Sequence, residues 1–167
     1  METLRILITD DEPGMRMAVE RSLRGFKVNL PDVGEEVSFD VSQAATGEEA
    51  IEKVNESAPD ILLLDYKLPG MSGLDVLEQL VNRQNEMLTV MITAYASLET
   101  AVTATKRGAW DFLAKPFTPE ELRNTVRKAA SRLILTRQAR KIADEKRKVR
   151  FQFISVLAHE LKAPLAA

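Results

Sequence analysis

The chain has no cysteine, which excludes a disulfide framework, a thiolate nucleophile and a Cys-based zinc site. Its longest apolar runs fall far short of a membrane span, and Met1-Glu2-Thr3-Leu4-Arg5 lacks the apolar stretch of a signal peptide. A cytoplasmic chain with no membrane partner is therefore expected. No internal repeat and no Gly-rich phosphate loop occurs. Between Glu120 and Leu161 there is neither proline nor glycine, a span too long for an ordinary globular helix.

What remains is 45% apolar residues in a chain of 167, enough for one domain and an appendage. The net charge of −2 hides an uneven distribution. Residues 1–131 carry 14 Lys and Arg against 22 Asp and Glu, a net of −8, while residues 132–150 carry 8 against 2, a net of +6. The body is acidic and the connector basic. With no aromatics interleaved, the basic run reads as a solvated helix surface rather than a nucleic-acid contact.

Ile61-Leu62-Leu63-Leu64 has no helical period and reads as a strand buried on both faces, ending at Asp65 and a Pro69-Gly70 turn. Taken alone, Asp65 reads first as a cap for the following helix. Four further strands are expected: residues 4–9, a stretch around Val37, Phe39 and Val41, Leu88 to Thr93, and residues 112–114. Helices are expected at Pro13–Arg24, Gly47–Ser57, Gly73–Gln84, Ser97–Arg107 and from Thr118 onward, with Thr118 as N-cap, Pro119 first and Glu121 third. Residues 25–38, with Gly25, Pro31 and Gly34, read as an irregular or hairpin-like excursion. Such alternation implies an α/β fold with a parallel sheet covered on both faces.

In that topology Asp10, Asp11, Asp65, Thr93 and Lys115 share one sheet edge. A hard divalent cation such as Mg²⁺ relieves the repulsion among three carboxylates. With the Lys115 ammonium and Thr93 hydroxyl nearby, the edge suits a phosphoryl group, and Asp65 is the candidate nucleophile for an aspartyl phosphate.

The segments Ile8-Thr9-Asp10-Asp11-Glu12-Pro13, Leu64-Asp65-Tyr66-Lys67-Leu68-Pro69-Gly70, Ile92-Thr93-Ala94-Tyr95 and Asp111-Phe112-Leu113-Ala114-Lys115-Pro116 resemble the receiver domain of two-component response regulators. The resemblance spans residues about 3–130. It implies a flavodoxin-like (CheY-like) five-stranded sheet in order 2-1-3-4-5. It also implies that Asp65 takes a phosphoryl group from a phosphohistidine on a kinase or phosphotransfer protein. Asp10, Asp11, Asp65 and the Lys67 carbonyl would hold Mg²⁺, and Thr93 and Phe112 would act as the switch pair. Phe112 stands where many receivers carry Tyr. The segment between the first helix and the second strand is about a dozen residues longer than in the usual receiver.

From Glu120 the helical pattern continues. Leu135, Ile142, Val149, Val156 and Ala163 recur every seven residues, with Ala139 and Phe153 beside them and the charged Lys146 and Glu160 at companion positions. A parallel homodimer through residues 132–163 is expected. Phe153 to Leu165, around the single histidine His159 and its neighbour Glu160, resembles the phosphoacceptor segment of the histidine-kinase dimerisation domain. That likeness implies a bend at Pro164, and Ala163, where Thr or Asn often stands, puts phosphatase activity in doubt. The expected organisation is a receiver at 1–130, a signalling helix at 131–152 and the start of a phosphoacceptor domain at 153–167, a piece of a larger protein. Alone, such a chain would show only self-phosphorylation and dephosphorylation at Asp65. The alternative is a response regulator whose basic helix binds nucleic acid or another effector.

Overall fold

The computed structural model describes residues 2–31, 34–83, 87–94 and 97–166, the last five of these by backbone alone. The expectations for Tyr95 and for the Ala163 and Pro164 side chains lie outside the described residues. The chain forms two compact units, Met1–Ser131 and Arg132–Ala167.

In the first unit, strands and helices alternate: β1 (Glu2–Thr9), α1 (Pro13–Leu23), β2 (Val28–Leu30), β3 (Glu35–Ala44), α2 (Gly47–Glu56) and β4 (Ile61–Asp65), then α3 (Gly73–Gln79), β5 (Leu88–Thr93), α4 (Leu98–Lys106), β6 (Asp111–Ala114) and the start of α5 (Pro119–Ala166). The sheet has the order β2-β3-β1-β4-β5-β6. Five strands are parallel, in the expected order, and β4 lies between β1 and β5. All five residues of β4 are buried, because helices cover both faces. Full burial of each of its four aliphatic side chains contributes roughly 2 kcal/mol. The strand that delivers Asp65 is thus among the best anchored in the unit.

The five-strand expectation is corrected by a sixth strand. β2 pairs antiparallel with the start of β3, Val28 opposite Val37 and Leu30 opposite Glu35. The excursion folds as a hairpin held by contacts from within it and from beyond it. Phe26 stacks on Phe39 with centroids 5.6 Å apart, the Arg127 guanidinium lies 5.5 Å from the Phe26 centroid, and Lys27 pairs with Glu36 at 3.2 Å. A second correction concerns α3, which stops at Gln79 rather than Gln84. The backbone tightens into a 3₁₀ turn at Val81–Arg83, and Val81 is exposed although it continues the apolar period.

Caps fix the helix starts that border the sheet edge. Thr46 accepts from the Glu49 amide at 3.1 Å, and Ser72 and Asp75 form a reciprocal capping box. Thr118 accepts from the Glu121 amide at 3.1 Å, as the Thr-Pro-Glu-Glu spacing predicts. In the first unit α5 buries Leu122, Val126, Ala129 and Ala130. In the second unit the helix exposes Leu135, Ile142, Val149, Phe151, Phe153, Ile154 and Leu161. Among the described residues no helix is long and apolar enough to cross a membrane.

Candidate functional site

Parallel strands end at a common edge, and here that edge gathers the ionisable residues. β1 runs into Asp10 and Asp11, β4 ends in Asp65, β5 in Thr93, and β6 leads to Lys115. Asp10 is fully buried, Asp65 is 5% exposed and Asp11 is exposed. One carboxylate oxygen from each lies within 4.8 Å of the others. Lys115 Nζ donates to Asp10 Oδ2 at 2.9 Å and to Asp65 Oδ2 at 3.1 Å.

Backbone bonds hold these groups in place. The Asp10 amide donates to the Ala44 carbonyl at 3.1 Å, and Asp10 Oδ1 accepts from the Glu12 amide at 2.9 Å. Tyr66 N donates to Ile92 O at 2.8 Å, and Lys115 N to Thr93 O at 2.9 Å, so the ends of β4, β5 and β6 are tied across. The peptide between Lys115 and Pro116 is cis. The loop after Asp65 turns at Gly70, where φ is +78°, and closes when Gly73 N donates to Tyr66 O at 2.8 Å. A Cβ at Gly73 would lie 2.4 Å from the Asp65 carbonyl oxygen, so only glycine allows this close approach.

The electrostatics follow from that packing. Burial pushes the Asp65 carboxyl above its ordinary value, and the Asp10 charge adds to the rise while Lys115 opposes it. Burial works against the Lys115 ammonium, but its bonds to Asp10 and Asp65 carry its pKa above the usual lysine range. The cation is thus secure, and the acids remain crowded. Hard oxygen donors so close together fit a divalent cation of the Mg²⁺ type, whose charge would offset that crowding.

Residues 6–127 match the response regulator receiver domain model. The chain belongs to the response regulator receiver family. This receiver is 32% identical over 124 residues to sporulation initiation phosphotransferase F of Bacillus subtilis, spanning 74% of this chain and 91% of that protein. It is 41% identical over 93 residues to the regulatory protein LuxO of Vibrio cholerae, spanning 56% of this chain but only 20% of LuxO. Among solved structures, the signal receiver domain of a putative LuxO repressor protein from Vibrio parahaemolyticus superposes with a TM-score of 0.70 at 28% identity, covering 82% of this chain and 97% of that one. An acidic triad of the kind found here is typical of Mg²⁺-binding receiver sites.

Of the residues singled out in the sequence, the receiver brings Asp10, Asp11 and Asp65 together and places Lys115 on Asp10 and Asp65, with Lys67 lining the same pocket as Asp11, Asp65 and Lys115. Thr93 is buried at the end of β5. Phe112 is half-buried against the core cluster that includes Leu62 and Met91. His159 and Glu160 are exposed on α5 in the second unit. One residue of the receiver site escaped the sequence reading. Arg16 Nη1 donates to the Asp10 carbonyl at 2.7 Å, and its Nε to Gln43 Oε1 at 3.1 Å. The available signal was an arginine on the first turn of the helix that follows Asp10-Asp11-Glu12-Pro13, placed to reach back to the strand end.

Proposed function

We propose that this receiver accepts a phosphoryl group from a phosphohistidine onto Asp65 and thereby regulates an attached histidine kinase through a dimeric helix. The observation that carries the reading is the bridge from Lys115 to both Asp10 and Asp65, beside an exposed third acid. Asp10, Asp11, Asp65 and the Lys67 carbonyl would hold Mg²⁺, which supplies positive charge against the phosphoryl oxygens when bound. An Asp65 carboxylate oxygen attacks phosphorus, the P–O bond forms as the P–N bond breaks, and the released imidazole nitrogen keeps its electron pair. Lys115 pairs with the transferring oxygens, and the Thr93 hydroxyl donates to one of them. The product is an aspartyl phosphate, with Thr93 and Phe112 as the pair that answers to it.

The helix supports the second half of the reading. Leu135, Ile142 and Val149 form a single exposed apolar row, the width that a two-stranded coil covers. From Phe151 onward a second row opens through Ile154, Leu157 and Leu161, beside Phe153 and Val156. Two rows call for two neighbours, as in a helical bundle rather than a lone pair of helices. That widening coincides with the segment around His159 that resembles a kinase phosphoacceptor helix. A parallel dimer through residues 132–163, a signalling helix at 131–152 and a phosphoacceptor segment at 153–167, with His159 as acceptor and Glu160 beside it, follow from this reading.

The test is incubation with a small acyl-phosphate donor and Mg²⁺, then localisation of the adduct by mass spectrometry. Label on Asp65 that vanishes in Asp65→Ala is expected. Undiminished labelling of that variant would sink the assignment. The alternative, in which the exposed basic run at 132–150 engages nucleic acid, predicts binding to duplex DNA that falls steeply as salt is raised.

A further inference from the structure

Asp10 is held at four points, and one of them belongs to a side chain with no place in the phosphoryl chemistry above. Its amide is fixed by Ala44 O, Oδ1 by the Glu12 amide, and Oδ2 by Lys115. The fourth is the carbonyl, which takes the 2.7 Å bond from Arg16 Nη1. The same guanidinium spends its Nε on Gln43 Oε1, and Gln43 in turn donates to Glu20 Oε2. Lys53 Nζ bonds the Gln43 carbonyl. Arg16 thus joins the loop after β1, the end of β3 and the body of α1.

We propose that Arg16 is a positioning residue for the acid pair, fixing the main chain at Asp10 so that Asp10 and Asp11 stand ready to bind a divalent cation. The inference rests on the reading that these acids hold Mg²⁺. Two features distinguish this role from ordinary surface packing. The bond reaches the peptide between Asp10 and Asp11, so a change in its geometry rotates both carboxylates together. The guanidinium also places a fixed positive charge on the main chain that carries two of the three acids. A planar fork makes the two bonds from two nitrogens held at fixed spacing, a geometry that the single nitrogen of an ammonium does not reproduce.

The experiment is Mg²⁺ titration of the full chain, followed by amide NMR at Glu12 and Lys67, for wild type, Arg16→Met, Arg16→Lys and Arg123→Met. Arg123 is the control because its Nε bonds the Ser22 carbonyl near the other end of α1. Outer contacts to metal ligands commonly contribute tenfold or more to affinity, so Arg16→Met should bind Mg²⁺ about tenfold more weakly, with the Glu12 amide shifted in the metal-free protein. Arg16→Lys should recover part of that loss, and it carries the same test should Arg16→Met not fold. Arg123→Met should lower the melting temperature yet leave Mg²⁺ affinity unchanged. Wild-type affinity in the Arg16 variants, or an equal loss in Arg123→Met, overturns the positioning role while leaving the Mg²⁺ reading intact. Absence of Mg²⁺ binding by wild type overturns both.

Discussion

Along α5, Leu122, Val126, Ala129 and Ala130 are buried, whereas Leu135, Ile142 and Val149 are each half or more exposed. The first group belongs to a unit that contains a sheet and a buried core; the second belongs to a unit made of one helix. A single helix cannot bury its own stripe, and its isolated stability in water is marginal. The contrast in charge runs the same way, with net acid before residue 132 and net base over 132–150. The first unit therefore has a hydrophobic core of its own. The second, on the proposed reading, gets its order from another helix, which makes it a natural place for a signal to act.

Four experiments separate the two regions, and the largest effect is expected in the core. Leu63→Ala deletes a fully buried side chain from the central strand and should cost the first unit about 3 kcal/mol, read from urea unfolding. Sedimentation of the second unit's association should be unaffected if the two regions are independent in stability. The converse change is Ile142→Asp, which places a charge in a seam residue that is 50% exposed. It should abolish concentration-dependent self-association while leaving the unfolding midpoint of the first unit where it was. A wild type that is monomeric at every concentration tested would remove the dimer.

Within the first unit, Gly73→Ala pushes a Cβ to 2.4 Å from the Asp65 carbonyl. Relief requires a backbone shift, at a cost of about 2 kcal/mol, and phosphorylation of Asp65 should slow more than the loss in stability alone explains. The smallest effect is expected from Asp65→Asn in metal-free buffer. The fold raises the Asp65 carboxyl above 3.8, so the folded protein holds that proton more tightly than the unfolded chain does. Stability then falls as pH rises from the ordinary carboxyl value through the raised one. The asparagine variant should be more stable than wild type at neutral pH, and thermal melts should show the advantage disappearing on acidification. A constant difference at all pH values would show that ionisation of Asp65 is not its source.

How much of this was legible beforehand depended on the length of each signal. β4 and β5 have the bounds the pattern suggests, since apolar stretches that run into Asp65-Tyr66 and Thr93-Ala94 leave little choice. β2 was not legible as a strand. It has three residues between Lys27 and Pro31, and it is stabilised by Phe39 and Arg127, contacts that no local pattern reveals. α3 was read too long because Leu80 and Val81 keep the helical period after the backbone has left it. The acids and Lys115 could be gathered from topology alone, because parallel strands share an edge. Arg16 was harder to place, since its bonds go to a main-chain carbonyl and a neutral amide and only its position on the first turn of α1 hinted at them.

The short β2 strand also governs what the sheet is able to pair with. β3 is ten residues long, and as an outermost strand it would offer a row of free amides and carbonyls to any extended chain that met it. β2 occupies the stretch Glu35–Val37, and the Lys27–Glu36 pair adds charge there. Farther along β3, the exposed Asp40 makes the rest of that edge costly to stack against itself. Deleting the hairpin from an expression-ready receiver should therefore show up first as loss of solubility on concentration, before any loss of phosphorylation.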